Sequence, residues 1–160
     1  MSLSDQEIIK KVLWLADIEE IKQLKARYAV ACDDNYDTDA LAQLFTDDAI
    51  WDGGMMGYAK TREGIVTFFE NASSLVGFAV HGISNPIIAI DGDTATGHWY
   101  LDQPMAMKGT DACYWYCAQY QDQYQRTADG WKFSHVKLIA RAFTPYDVGF
   151  GKQLLADLPV

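Results

Sequence analysis

The chain has 160 residues and a mass of 18.0 kDa, the size of one domain that buries roughly 70% of its unfolded surface and needs no disulfides. Apolar residues at 49% and charged residues at 22% exclude a disordered chain. Thirteen basic against 22 acidic residues leave a net charge of −9 with no basic patch, which excludes nucleic acid and anionic membrane as expected partners.

Residues 4–32 read as one or two helices. Ile8, Val12, Leu13, Ile18, Ile21, Leu24 and Tyr28 recur at helical spacing between Lys and Glu. Ser4 is placed to cap the start, Asp5 and Glu7 suit its positive dipole end, and Asp17 marks a point where the helix could restart. The stretch DDNYDTD at 33–39 predicts a turn, and Thr38 opens a short helix over about 39–45. AIWDGG predicts a strand running into a glycine turn. Thr61 opens a further helix, REGIVTFFENASSLV, with Ile65, Phe68 and Phe69 on its apolar side.

From Phe78 onward the pattern is that of strands: FAVHGISN, PIIAIDGD, TATGHWYLDQ, ACYWYCAQYQDQYQRT and WKFSHVKLIARAF. IDGDT and TADGW predict tight hairpins, Asp-Gly being a favoured turn dipeptide. The fourth of these strands puts Gln119, Gln121, Gln123 and Gln125 on one face and Tyr116, Tyr120 and Tyr124 on the other. Helices followed by an antiparallel meander predict an α+β fold, a curved antiparallel sheet packed against N-terminal helices. Such a sheet closes into a cone whose open end is a natural pocket. No repeat, linker or low-complexity run divides residues 1–160, so one domain is expected.

Three cysteines, Cys32, Cys113 and Cys117, make no disulfide framework and read as reduced, mostly buried thiols. The first 22 residues carry acids throughout. They match neither a signal peptide nor a membrane span, and a cytoplasmic protein is the expectation.

No GxGxxG, Walker loop, HExxH, CxxC pair or nucleophile elbow is present. The three histidines, His81, His98 and His135, have no short-spaced ligand partner. No metal and no cofactor are therefore expected. His81, near the start of the first long strand, is either a rim histidine satisfied by a carbonyl or a base titrating near neutrality. Asp33 and Asp34 end the long helix, where the dipole disfavours carboxylates. They are turn caps, or one of them holds an imidazole. Tyr28, five residues earlier, is a core aromatic or a phenol aimed at a substrate oxygen. Arg141 alternates with Ile139 and Phe143 and so shares their face, as an edge ion pair or an anion-binding group. Trp51, Met55, Met56 and Tyr58 surround the turn DGGMMG and suit an adaptable apolar pocket mouth. Phe68, Tyr116 and either His98 or Trp99 are further candidates to line a cavity.

The stretches IEEIKQLKARYAVACDDNYD, LAQLFTDDAIWDGG, TREGIVTFF, HGISNPIIAIDGDTATGHWY and YQRTADGWKFSHVKL together resemble the SnoaL-like branch of the nuclear transport factor 2-like superfamily, over nearly the whole chain. Within it, the chain is most similar to the lyases that use an Asp–His dyad on a cone-shaped barrel: scytalone dehydratase, hexachlorocyclohexane dehydrochlorinase and bile-acid 7α-dehydratase. The resemblance places Asp33 at the dyad's acid, with Asp34 as its rival, and His81 at its base, 48 residues on (81 − 33). It places Tyr28 and Arg141 at the supporting phenol and arginine. The second pocket histidine and paired tyrosines of scytalone dehydratase have no matching positions, His98 being only near. The resemblance implies a cofactor-independent lyase, a dehydratase acting on a small apolar ring-containing substrate such as a steroid, a polyketide or an aromatic catabolite. An isomerase or cyclase, and a non-catalytic binding or assembly protein such as a dioxygenase small subunit, are the alternatives. It also implies a homo-oligomer, a trimer or else a dimer. Trp115 and Leu154 are the apolar residues expected at its surface.

Overall fold

The computed structural model describes residues 3–158. Helix α1 (Asp5–Asp33) is one element of 29 residues. Its start is a reciprocal capping box: the Glu7 amide donates to the Ser4 hydroxyl and the Ser4 amide donates to the Glu7 carboxylate. The helix does not break at Asp17. That carboxylate leaves the helix surface instead and accepts two bonds from Arg126 and one from Trp131 Nε1, tying the helix to the sheet. After Asp33 the chain reverses through Asn35 and Tyr36, both with positive φ (51° and 57°). Asp37 then caps α2 (Thr38–Leu44) by accepting from the Ala40 amide.

Strand β1 (Phe45–Asp52) leads through one tight helical turn (Gly54–Met56) into β2 (Tyr58–Lys60). Gly57 joins them at φ 127°, with Phe68 so close that a Cβ would lie 2.6 Å from its ring. Only glycine fits there. Thr61 caps α3 (Arg62–Leu75) by accepting from the Gly64 amide. The rest is strand: β3 (Val76–Ala79), β4 (Gly82–Asp91), β5 (Thr94–Met107), β6 (Cys113–Thr127) and β7 (Gly130–Pro145).

The sheet runs in the order β2-β1-β7-β6-β5-β3, with β4 also paired to β5. The meander is antiparallel as expected, but β1 lies parallel to β7, so the sheet is mixed. The chain reaches that position through α3 and the meander, a crossover long enough to allow a parallel pair. Two irregularities between β6 and β7 each leave one residue of β7 unopposed, Ser134 and Arg141. Such bulges bend and twist a strand, and here they help to curl the sheet around its helices. The inner face carries Trp99, Leu101, Tyr116, Ala118, Tyr120, Tyr124, Phe133 and Val136, all buried. The glutamines of β6 face outward, as their alternation predicts. Cys32 is buried, Cys117 half-buried and Cys113 exposed, so burial is less general for the thiols than expected. The chain end folds back on β7, where Phe143 exchanges backbone hydrogen bonds with Leu154 and Ala156. No helix is long and apolar enough to cross a membrane among the described residues.

Candidate active site

Asp33 is the last residue of α1, and His81 lies in the short gap where β3 hands over to β4 along β5. The fold brings them together. His81 Nδ1 is 2.7 Å from Asp33 Oδ1, and the His81 amide donates to both carboxylate oxygens at 3.0 and 3.2 Å. The carboxylate thus fixes the ring and its backbone at once. The imidazole is 7% exposed and its partner 31%. Asp34, the rival acid, is exposed and makes no such contact.

His81 forms part of the wall of a cavity of about 230 Å³ between the helices and the curled sheet. The wall is apolar and aromatic: Trp51, Met56, Phe68 and Phe69 on one side, Met105, Met107, Leu138 and Phe143 on the other, with Leu158 from the returning chain end. Trp51 packs on Phe68 with ring centres 4.6 Å apart. The Trp51 indole donates to the Tyr28 hydroxyl at 3.0 Å. Tyr28 is fully enclosed by Phe45, Phe69, Tyr120 and Phe133. Burial holds its phenol well above the ordinary tyrosine range, so it stays protonated and acts as a hydrogen-bonding group rather than a base. Two further polar groups face each other across the β5–β6 pair, Gln103 and Tyr116. Both belong to the cavity wall. The buried Tyr116 hydroxyl has no partner, and the Gln103 amide reaches only the Met105 sulfur at 3.9 Å.

Of the residues that the sequence singles out, Tyr28, Trp51, Met56, Phe68, His81 and Tyr116 line the cavity, and Asp33 backs His81. Four do not. Arg141 is the unopposed residue of the second bulge and is exposed, because the bulge breaks the period-two count that put it on Phe143's face. His98 points outward, Trp99 taking the inner position. Tyr58, on the edge strand β2, is 54% exposed. Met55 packs against the core beside Met56 but outside the cavity. Gln103 is not among the residues the sequence singles out, although Trp99, Leu101, Gln103 and Met105 alternate as one inward face and a polar residue in that row is a visible signal. Tyr36, stacked on Phe69, had no signal, because its place depends on the left-handed turn before it.

Beneath the cavity lies a buried polar chain. Trp99 Nε1 donates to Tyr124, whose hydroxyl donates to Asp122 Oδ2. Lys25 Nζ sits 2.8 Å from that oxygen and 3.2 Å above the centre of the Tyr120 ring. Gly97 makes room for it, since a Cβ there would lie 2.9 Å from both Trp99 Nε1 and the Tyr124 hydroxyl. Burial pushes Lys25 down and Asp122 up, and their mutual attraction opposes both shifts. Burial also raises the Cys32 thiol to about 12, leaving it unreactive. Among the described residues no three His, Cys, Asp or Glu side chains converge as a metal site.

A SnoaL-like domain model matches residues 14–137, and the chain belongs to that family. An uncharacterized protein of Mycobacterium tuberculosis is 32% identical over 124 residues, covering 74% of this chain and 81% of its own. Three solved structures share the fold. A candidate aromatic ring hydroxylase of Novosphingobium aromaticivorans has a TM-score of 0.77 at 25% identity, with 86% of this chain and 96% of that one covered. The hexachlorocyclohexane dehydrochlorinase LinA-type3 of Novosphingobium barchaimii has 0.77 at 23%, covering 84% and 93%. A candidate scytalone dehydratase of Novosphingobium aromaticivorans has 0.76 at 19%, covering 91% and 97%. At these identities the last two speak for the architecture alone.

Proposed function

We propose that this SnoaL-like protein is a cofactor-independent lyase, a dehydratase that takes a carbon-bound proton from a small apolar ring-containing substrate. The observation that carries the reading is the 2.7 Å contact between Asp33 and His81 in the wall of an apolar cavity. With the ring proton on Nδ1 and donated to Asp33, Nε2 holds a free lone pair. His81 Nε2 takes a proton from the carbon beside a carbonyl. The electron pair released forms the C=C bond as the neighbouring C–O bond breaks, and the departing hydroxide recovers the proton from the imidazolium as water. Asp33 stays ionised and stabilises the imidazolium. The Tyr28 oxygen already accepts from Trp51, so its own proton is the part it can offer to the oxygen that gains charge. Arg141, outside the cavity, has no part in this scheme.

The cavity volume supports a compact substrate. A dry cavity of about 150 Å³ holds one benzene ring, so about 230 Å³ suits one substituted ring or two fused rings better than a steroid. The dehydrochlorinase and dehydratase names among the structural neighbours are consistent with an elimination. An open cavity with the Asp33–His81 contact in its wall supports this reading over a non-catalytic binder, for which a plugged cone or a separated Asp and His is the expectation. The test is a screen of hydroxylated cyclic ketones, with wild type beside His81→Ala and loss of water followed by absorbance of the conjugated product. Turnover by wild type alone supports the proposal; equal turnover by both proteins removes His81 as the base. Isomerised products that retain the oxygen would mark an isomerase on the same dyad.

A further inference from the structure

Three polar side chains of the cavity wall lie in one row across the sheet. The pairs Ala79–Met105 and Gly82–Asp102 flank His81 and set it level with Gln103 on β5. Gln103 in turn stands opposite Tyr116 on β6. All three residues line the cavity. Neighbouring strands lie about 4.8 Å apart, so along this row the backbones of Gln103 and Tyr116 stand about 5 and about 10 Å from that of His81.

Two of the three lack a proper partner. The Tyr116 hydroxyl is buried and bonds to nothing. The Gln103 carboxamide, on a residue that is 5% exposed, reaches only the Met105 sulfur at 3.9 Å, and a thioether is a weak acceptor. Other polar groups of the wall are engaged: Asn71 donates to the Thr67 carbonyl, and the Tyr28 hydroxyl accepts from Trp51. Burying a polar group without a partner costs stability. Two such groups side by side in an otherwise apolar wall call for a ligand that completes them.

We infer that Gln103 and Tyr116 form a subsite for a neutral hydroxyl on the substrate ring, a group separate from the oxygen that leaves. With Nε2 turned to the Met105 sulfur, Gln103 has its acceptor Oε1 left to offer, and the Tyr116 hydroxyl can donate. A ligand hydroxyl answers both, donating to Gln103 and accepting from Tyr116. A ketone accepts from Tyr116 but leaves Oε1 alone. A carboxylate finds no lysine or arginine in the wall among the described residues and meets a chain of net charge −9. The subsite stands one to two strand spacings from the base, the reach of one ring or a fused pair in a cavity of about 230 Å³. The substrate is then a hydroxylated cyclic ketone held at two ends, its reacting carbon at His81 and its second hydroxyl at Gln103 and Tyr116. This deepens the lyase proposal and rests on it for which end of the ring meets His81, whereas recognition of the hydroxyl stands on the geometry of the pair.

Ligands that cannot lose water test the subsite apart from the reaction. 1-Tetralone, 6-hydroxy-1-tetralone and 6-methoxy-1-tetralone share one fused frame with a ketone at one end and differ only at the other. In isothermal titration calorimetry of the full chain, 6-hydroxy-1-tetralone binds about tenfold or more tighter than 1-tetralone, the worth of one or two hydrogen bonds to buried groups. The methoxy compound, which accepts but cannot donate, loses that advantage. Tyr116→Phe and Gln103→Leu each cut the preference to about threefold or less, and the double variant abolishes it. Their affinity for 1-tetralone itself stays within about twofold of wild type, which shows that the variants are folded with the cavity intact. A wild type that does not tell 1-tetralone from its hydroxy derivative, whether it binds both or neither, overturns the inference; a pair that only holds a buried water gives that result. So does a preference that survives the double variant. The lyase reading fails separately, by equal turnover in wild type and His81→Ala, and that failure leaves the binding preference in place.

Discussion

Asp33 is a carboxylate at the negative end of a long helix, where the dipole disfavours it. Its three contacts with His81 offset that cost, and the placement makes sense only through them. Asp33→Asn keeps the shape but loses the charge that stabilises the imidazolium. It should lower kcat by about 100-fold or more, while Asp34→Asn leaves kcat within about twofold, both read by steady-state kinetics on a substrate from the screen. A similar loss in both variants would break the assignment. Tyr116 separates binding from stability. Its buried hydroxyl has no partner, so Tyr116→Phe should leave stability unchanged or raise it by about 1 kcal/mol in a denaturant titration. The same change should raise KM for an oxygenated substrate by about tenfold if that oxygen meets the hydroxyl; an unchanged KM places the substrate oxygen elsewhere. The sequence singles out Asp33, His81 and Tyr28 one by one, but only the resemblance groups them, because the 48 residues between Asp33 and His81 leave no local sign that the two meet. Arg141 was misplaced because a one-residue bulge reverses the faces after it, and nothing in VKLIARAFTP announces the bulge.

At the scale of the element, α1 shows how a correct outline conceals a wrong detail. Its residues all lie on one helix, as the spacing predicts. Yet Ile8 and Val12 lie roughly 120–180° around the axis from Ile21, Leu24 and Tyr28, and burial begins only at Asp17. The restart expected at Asp17 is no break: the residue ties a continuous helix to the sheet. Asp17 holds the root of the helix through Arg126, which also stacks on the Trp131 ring at 4.4 Å. The Arg126 bonds keep the Asp17 carboxyl below its ordinary value of 3.8. A folded-state pKa below the unfolded one gives stability that is present above the unfolded value and lost as pH falls through the folded one. Asp17→Asn should therefore cost about 2 kcal/mol at neutral pH, and the gap to wild type should close below pH 3.8. Urea titrations across that range measure it; a gap that persists in acid would assign the loss to shape rather than charge.

For the molecule as a whole, the cone was readable from alternation, but its parallel β1–β7 seam and its buried charges were not. Strand pairing across a long crossover leaves no local signature, and Lys25 and Asp122 look like surface residues until α1 is laid on β6. The pair is 1% and 0% exposed, so each charge has given up its water. Removing one partner strands the other: Lys25→Met should cost about 3–5 kcal/mol, whereas Lys25→Met/Asp122→Leu should recover most of that loss. The reason to keep so costly a pair is geometric. Lys25 lies three residues before Tyr28 and eight before Asp33 on the same rigid helix, so its bond to the middle of the sheet fixes how α1 is rotated and where Asp33 meets His81. The double variant should then fold stably yet turn over more slowly. Chemical denaturation and steady-state kinetics on the same preparations separate the two effects. A double variant that matches wild type in both would make the pair a bystander, and one as unstable as Lys25→Met would assign it to stability rather than to aim.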